Sequence, residues 1–137
     1  MSSTNQTKAS PASLRDLALA VSSGFRSKII PVPEWSGAKV MLREPSGEAW
    51  VKFREIMTPP EAVEGQEPQK LTMQEEYLRN KRADVVMFID VLLDESGNRV
   101  FSEEDEQTVS DIYGPVHSRL LSQAIGLGMS QETAEAK

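Results

Sequence analysis

Six residues between Asp94 and Asp105 have the types and the spacing of a calcium loop. Asp94, Ser96, Asn98, the Val100 carbonyl, Ser102 and Asp105 fall at positions 1, 3, 5, 7, 9 and 12 of an EF-hand, where oxygen donors would surround a hard cation. Two residues depart from that pattern. Arg99 stands where the loop needs glycine for its sharp turn, and Asp105 is shorter than the bidentate glutamate usual at the last position. The same residues also read as a plain joint between two packed helices, with Gly97-Asn98 as the turn and Ser102 as the cap of an acidic helix. A calcium-responsive module and a helix–turn–helix connection are both open on this stretch alone.

Other chemistry finds little to build on. His117 is the single histidine and there is no cysteine, so His/Cys metal clusters and Cys–His nucleophiles are excluded, as are disulfides. No Gly-x-Ser-x-Gly element, Walker-type glycine loop or dinucleotide fingerprint occurs. The run Glu103-Glu104-Asp105-Glu106 fits the first turn of a helix, where the macrodipole favours negative charge without any catalytic role. His117 reads as a helix-face residue. No enzyme activity and no cofactor are expected.

The chain has 137 residues and 39% hydrophobic content, enough for one modest core. Its longest apolar run, Val85 to Leu93, is interrupted by Asp90 and is about half the ~20 residues that span a bilayer. No export signal is legible at the start, so a soluble protein of the cytoplasm is expected. Charge is uneven. Residues 1–57 carry eight Lys/Arg against five Asp/Glu, a net of +3, whereas residues 58–137 carry seven against sixteen, a net of −9. Such asymmetry suits head-to-tail self-association or a partner with a basic face, and it disfavours nucleic acid, which needs clustered cations. An ordinary solvated acidic surface accounts for it too.

The elements that must position these residues follow from caps and periodicity. Residues 1–12 are polar and are expected to be disordered, and 13–128 to form a single domain. Ser13, with Asp16 three residues on, caps a first helix whose face is Leu14, Leu17, Ala18 and Val21 and which ends at Gly24. Pro31 and Pro33 keep their neighbours extended, Ser36-Gly37 signals a turn, and Val40 and Leu42 alternate with Lys39, Met41 and Arg43. These make a β-hairpin over 28–43, anchored by Trp35 and leaning on helices, since two strands alone are marginal. Ser46 caps a second helix bearing Ala49, Trp50, Phe53, Ile56 and Met57, which Pro59-Pro60 stops. The Pro/Glu-rich stretch 58–70 is expected to be a mobile loop.

Thr72 and Glu75 then form a capping box for the strongest helix, with an apolar stripe of Met73, Tyr77, Leu78, Val85, Phe88, Ile89 and Leu92. Val85 to Ile89 is apolar nearly all round and should be the core segment, with a buried strand as the competing reading. Beyond Ser102, Val109, Ile112 and Tyr113 share a face, Gly114-Pro115 breaks the helix, and Val116, Leu120, Leu121, Ala124 and Ile125 continue the stripe. Gly126 and Gly128 are expected to end this last helix, leaving 129–137 as a polar C-terminal tail. The fold class is mainly α with a small N-terminal β-hairpin (α+β), its helices packed as a single small domain.

The order of these features resembles a known family. Ile30-Pro31-Val32-Pro33-Glu34-Trp35, a Gly turn, Val40-Met41-Leu42-Arg43, a capped helix with aromatic anchors, then Asp94 to Ser102, an acidic helix and a Leu-rich helix are similar to the tail assembly chaperones of long-tailed (siphovirus-type) bacteriophages and prophages. The resemblance covers roughly residues 28–127. It implies a helical, non-enzymatic protein that binds the tape-measure protein, recruits tail-tube subunits in the host bacterial cytoplasm and is absent from the finished virion. A minor tail or head-tail component retained in the virion is the alternative. Self-association is expected, as an open spiral or a weak oligomer, since side-by-side heterologous contacts do not close, and the resemblance implies a frameshifted longer form, made in many members. Partner contacts are expected on Glu76, Arg79 and Arg82 and on the Glu103, Glu104, Asp105, Glu106 turn. A solvated helix face accounts for each of these residues as well.

Overall fold

The computed structural model describes residues 13–20, 23–59, 64–67 and 70–136, with side chains to 128. Helix α1 (Leu14–Leu19) is followed by strand β1 (Ser27–Val32), a 3-10 turn (Pro33–Trp35) and strand β2 (Ala38–Arg43). Helix α2 (Gly47–Met57), helix α3 (Met73–Val91), strand β3 (Leu92–Leu93), a 3-10 turn (Glu103–Asp105), helix α4 (Glu106–Ile112) and helix α5 (Pro115–Ala136) complete the order.

The hairpin is antiparallel with Ile30 opposite Val40 and Val32 opposite Ala38. Ser36 and Gly37 turn it, both at positive φ, 57° and 73°. The two-residue β3 pairs with Met41 and Leu42, making the sheet three-stranded in the order β1-β2-β3. That third strand was not foreseen. Leu92 was assigned to the stripe of the preceding helix, but the chain becomes extended there and gives its backbone to the sheet.

The core lies where α3, α5 and the inner face of the sheet meet. Val32, Leu42, Val85, Met87, Phe88, Val91, Val109, Leu120 and Ala124 are buried there. Val85 to Ile89 is helical, as its position in a capped, continuous stripe favours over the competing strand. Only the second half of α3 faces this core. Its first turns project into solvent, so Met73, Tyr77 and Leu78 are exposed although they continue the apolar stripe.

Local caps form as their residue types direct. Ser46 accepts from the Ala49 amide at 3.1 Å, and Thr72 and Glu75 complete their reciprocal box at 3.1 and 2.8 Å. Two expected helix ends and one expected face differ. The first helix stops at Leu19, before Gly24, and none of the residues Leu14–Leu19 is buried: Leu14 and Leu17 of the expected face are 83% and 58% exposed. Ile112 points outward from α4 at 59% exposure, where it was expected on the inner face. Helix α5 runs through Gly126 and Gly128 to Ala136, so the stretch expected as a tail continues the helix. A glycine lowers helix stability by about 1 kcal/mol but does not by itself stop one. The expected disorder of 1–12, the Val21 contact and residues 60–63 and 68–69 of the expected loop lie outside the described residues. The described residues of that loop are exposed.

Candidate partner-binding surface

The Asp94–Asp105 segment is a tight turn closed on itself. Asp94 Oδ1 accepts the amides of Ser96 at 2.9 Å and Asn98 at 3.0 Å, and the Asp94 amide donates to the Asn98 carbonyl at 2.8 Å. Leu93 bridges Arg99 across it. Gly97 sits at φ 87° and Arg99 does not have positive φ, so the turn requires glycine at position 97 and not at Arg99. Asp105 turns back to accept the Ser102 amide at 2.8 Å. Both carboxylates thus stabilise the turn and cap that join α3 to α4. Among the described residues, no three His, Asp or Glu side chains converge as a metal site.

The charged residues expected to meet partners divide into two groups. Arg82, Glu103 and Glu106 border one groove between α2 and the α3–α4 joint, floored by Ala49, Val86 and Ile89. Two ion pairs line it, one along the α3–α4 wall and one across from α2. Arg82 Nε lies 3.2 Å from Glu106 Oε1, and Lys52 Nζ donates to Glu103 Oε1. The Lys52 hydrogen bond, with its positive charge, draws the Glu103 carboxyl below its usual value. Arg82 and Glu103 remain largely exposed, so solvent screens both pairs. Glu76, Arg79, Glu104 and Asp105 are not drawn into this groove. Among the described residues, Arg79 reaches the neighbouring Asn80 side chain, at 3.3 Å.

One end of the groove is held by residues the sequence reading passed over. Asp90, read only as an interruption of an apolar run, accepts the Ser46 amide at 2.7 Å, the Ser46 hydroxyl at 2.9 Å and Arg43 Nη2 at 2.8 Å. Arg43 also donates to the Asp90 carbonyl at 2.8 Å. One carboxylate therefore fastens the end of β2, the start of α2 and the last turn of α3. The signal for it was a lone acid within an apolar run, since a charge is buried only when paired.

On the opposite side, Glu34 and Arg119 pair through two bonds, 2.6 and 2.8 Å, tying the hairpin turn to α5. That bidentate contact lowers the Glu34 carboxyl to about 2. His117 has a packing role deeper than a helix face. Its ring lies 5.4 Å from Tyr113, 5.1 Å from Phe88 and 5.5 Å from Trp35, and its Nδ1 accepts the Gly114 amide at 3.1 Å. Desolvation pushes its pKa down.

Such a surface has the features of a protein-binding unit: apolar turns standing in solvent at α1 and the start of α3, charged pairs over an apolar floor, and a small rigid core. Comparison with known proteins agrees. The chain matches the family model described as phage tail assembly chaperone over residues 13–137. Its fold matches the solved structure of the bacteriophage HK97 tail assembly chaperone with a TM-score of 0.72 and 49% identity, covering 83% of this chain and 95% of that one. The search of curated proteins returns no match. The surface, the fold and the match across nearly the whole chain lead to one conclusion: this chain belongs to the phage tail assembly chaperone family.

Proposed function

We propose that this chaperone binds the tape-measure protein and recruits tail-tube subunits to it in the host bacterial cytoplasm, then departs before the tail is complete. The observation that carries the reading is the 49% identity to the HK97 tail assembly chaperone across 95% of that protein. The physical character of the surface supports it. Exposed apolar residues beside mixed charges give contacts strong enough to hold a client and weak enough to release it. Glu76, Arg79, Arg82 and the Glu103 to Glu106 turn contribute the charged part. Copies associate side by side around an elongated client in an open spiral, as heterologous contacts do when the rotation does not close. Among the described residues, no helix is long and apolar enough to cross a membrane.

Co-expression with the tape-measure and tail-tube proteins of the same phage tests this. Pulling on one partner and sizing the eluate by light scattering should give soluble multi-copy complexes, and purified virions should lack the chain. A stoichiometric presence in virions would make it a structural tail component instead.

A further inference from the structure

Two stretches of this chain hold apolar side chains in solvent. Helix α1 is capped by Ser13, yet none of its six residues is buried. Such a helix is about 9 Å long, and one so short is marginal in water unless its apolar side is packed. Leu14 and Leu17 form that side, and both are exposed. The second stretch is the first two turns of α3, where Met73 is 88%, Tyr77 61% and Leu78 52% exposed. The capping box of Thr72 and Glu75 holds these turns helical, over a length that matches α1.

The two are tied to opposite ends of α3. Beyond α1 the chain is anchored by Phe25, whose ring lies 4.5 Å from the Arg43 guanidinium, and by Arg26, which pairs with Glu44. Arg43 in turn holds Asp90, in the last turn of α3. Met73 begins that helix, about 26 Å away along its axis. The six steps of chain from Leu19 to Phe25 span at most about 20 Å, so the tether favours the α3 turns of a second copy over those of the same one. Charge has the same polarity. Residues 1–28 carry four Lys/Arg against Asp16, whereas residues 61–78 carry five Glu against Lys70. The cations of α3 come after these acids, with Lys81 Nζ 5.9 Å from the Tyr77 ring centre and Arg79 on Asn80.

We propose that α1 of one copy packs on the first two turns of α3 of the next, with Leu14 and Leu17 against Met73, Tyr77 and Leu78. Each copy then keeps one free α1 and one free α3 start, so the contact is heterologous and repeats from copy to copy. A six-residue helix covers far less than the ~800 Å² per partner of a stable complex. The contact is therefore weak on its own and is strengthened where a client lines copies up. This inference rests on the side-by-side association of copies around the client and names the surfaces that make it.

The test uses the full chain alone, its mass read by sedimentation up to about 1 mM, because a contact this small is weak. Wild-type mass should rise with concentration and pass beyond the dimer. Leu17→Glu and Met73→Glu change exposed residues, so both should keep the wild-type Tm. Each should weaken association about tenfold or more, as the loss of one buried apolar side chain does. Mixing the two variants in equal amounts restores one sound contact per pair, the α1 of Met73→Glu on the α3 of Leu17→Glu. Dimers should form and grow no further. Wild type that stays monomeric or stops at the dimer would overturn the contact, as would variants that associate like wild type or a mixture that remains monomeric. Amide shifts at 73–78 on Leu17→Glu, with wild type monomeric throughout, would place α1 on its own α3 and overturn it too. The mass series is read without client. Its failure removes this contact and leaves capture of the tape-measure protein standing, whereas failed capture removes the client reading alone.

Discussion

Replacing Asp90 should cost more than any other single polar change in this protein. Its carboxylate takes three donors: the Ser46 amide, the Ser46 hydroxyl and Arg43 Nη2. The Arg43 and Asp90 side chains are each 15% exposed, and Ser46 is buried. In Asp90→Ala the Ser46 amide loses its acceptor in a buried position, costing roughly 1–2 kcal/mol. Arg43 keeps the Asp90 and Glu44 carbonyls but loses its counter-charge. Breaking a fully buried pair costs about 3–5 kcal/mol, and the residual exposure and retained carbonyls reduce that to about 2. The sum is about 3–4 kcal/mol, or about 10 °C in Tm for a chain of this size. Asp90→Asn retains an acceptor but not the charge and should cost about half as much. Urea denaturation gives the global value. Hydrogen exchange at Ser46 and Ala49 gives the local one, and a double-mutant cycle with Arg43→Met should show a coupling of about 1–2 kcal/mol. A loss below 1 kcal/mol with unchanged protection at the start of α2 would refute the view that one carboxylate joins the three elements.

Leu120→Ala, at a fully buried position in the first half of α5, should lose about 2–5 kcal/mol in the same urea assay through the cavity it leaves. Thr72→Ala should lose about 1 kcal/mol or less, and mainly as faster exchange over the first turn of α3, because that turn has no tertiary packing to share the loss. Imidazole titration by NMR should place His117 below its ordinary 6.5. The unfolded chain then binds the proton more readily, so this contribution to stability is present above pH 6.5 and is lost as pH falls through the folded value. The Glu34 contribution follows at lower pH, present above 4.5 and lost as pH falls toward about 2, and Glu34→Gln should flatten that part of the stability curve.

Wherever one residue satisfies its close neighbours, the sequence was sufficient. Ser46 and Thr72 cap, Ser36-Gly37 turns the hairpin, Val40 and Leu42 alternate into the core, and Gly114-Pro115 separates two helices. These depend on hydrogen bonds and periodicities spanning two to four residues, which a single chain displays openly. The resemblance that led to the family also rests on such short motifs. Contacts between distant residues had no such signal. Leu92 and Leu93 are extended because β2 offers backbone partners, which overrides the place of Leu92 in a helical stripe. Met73 and Tyr77 continue that stripe yet face solvent, because no element packs over the first turns of α3. Gly128 remains helical where a Cβ would come within 3.0 Å of Glu44, itself held by Arg26. Among the expected partner residues, only Arg82, Glu103 and Glu106 share a groove. Exposure, charge type and helical phase identified the surface residues, but which of them share a groove depends on how α2, α3 and α4 pack, and tertiary structure alone decides that.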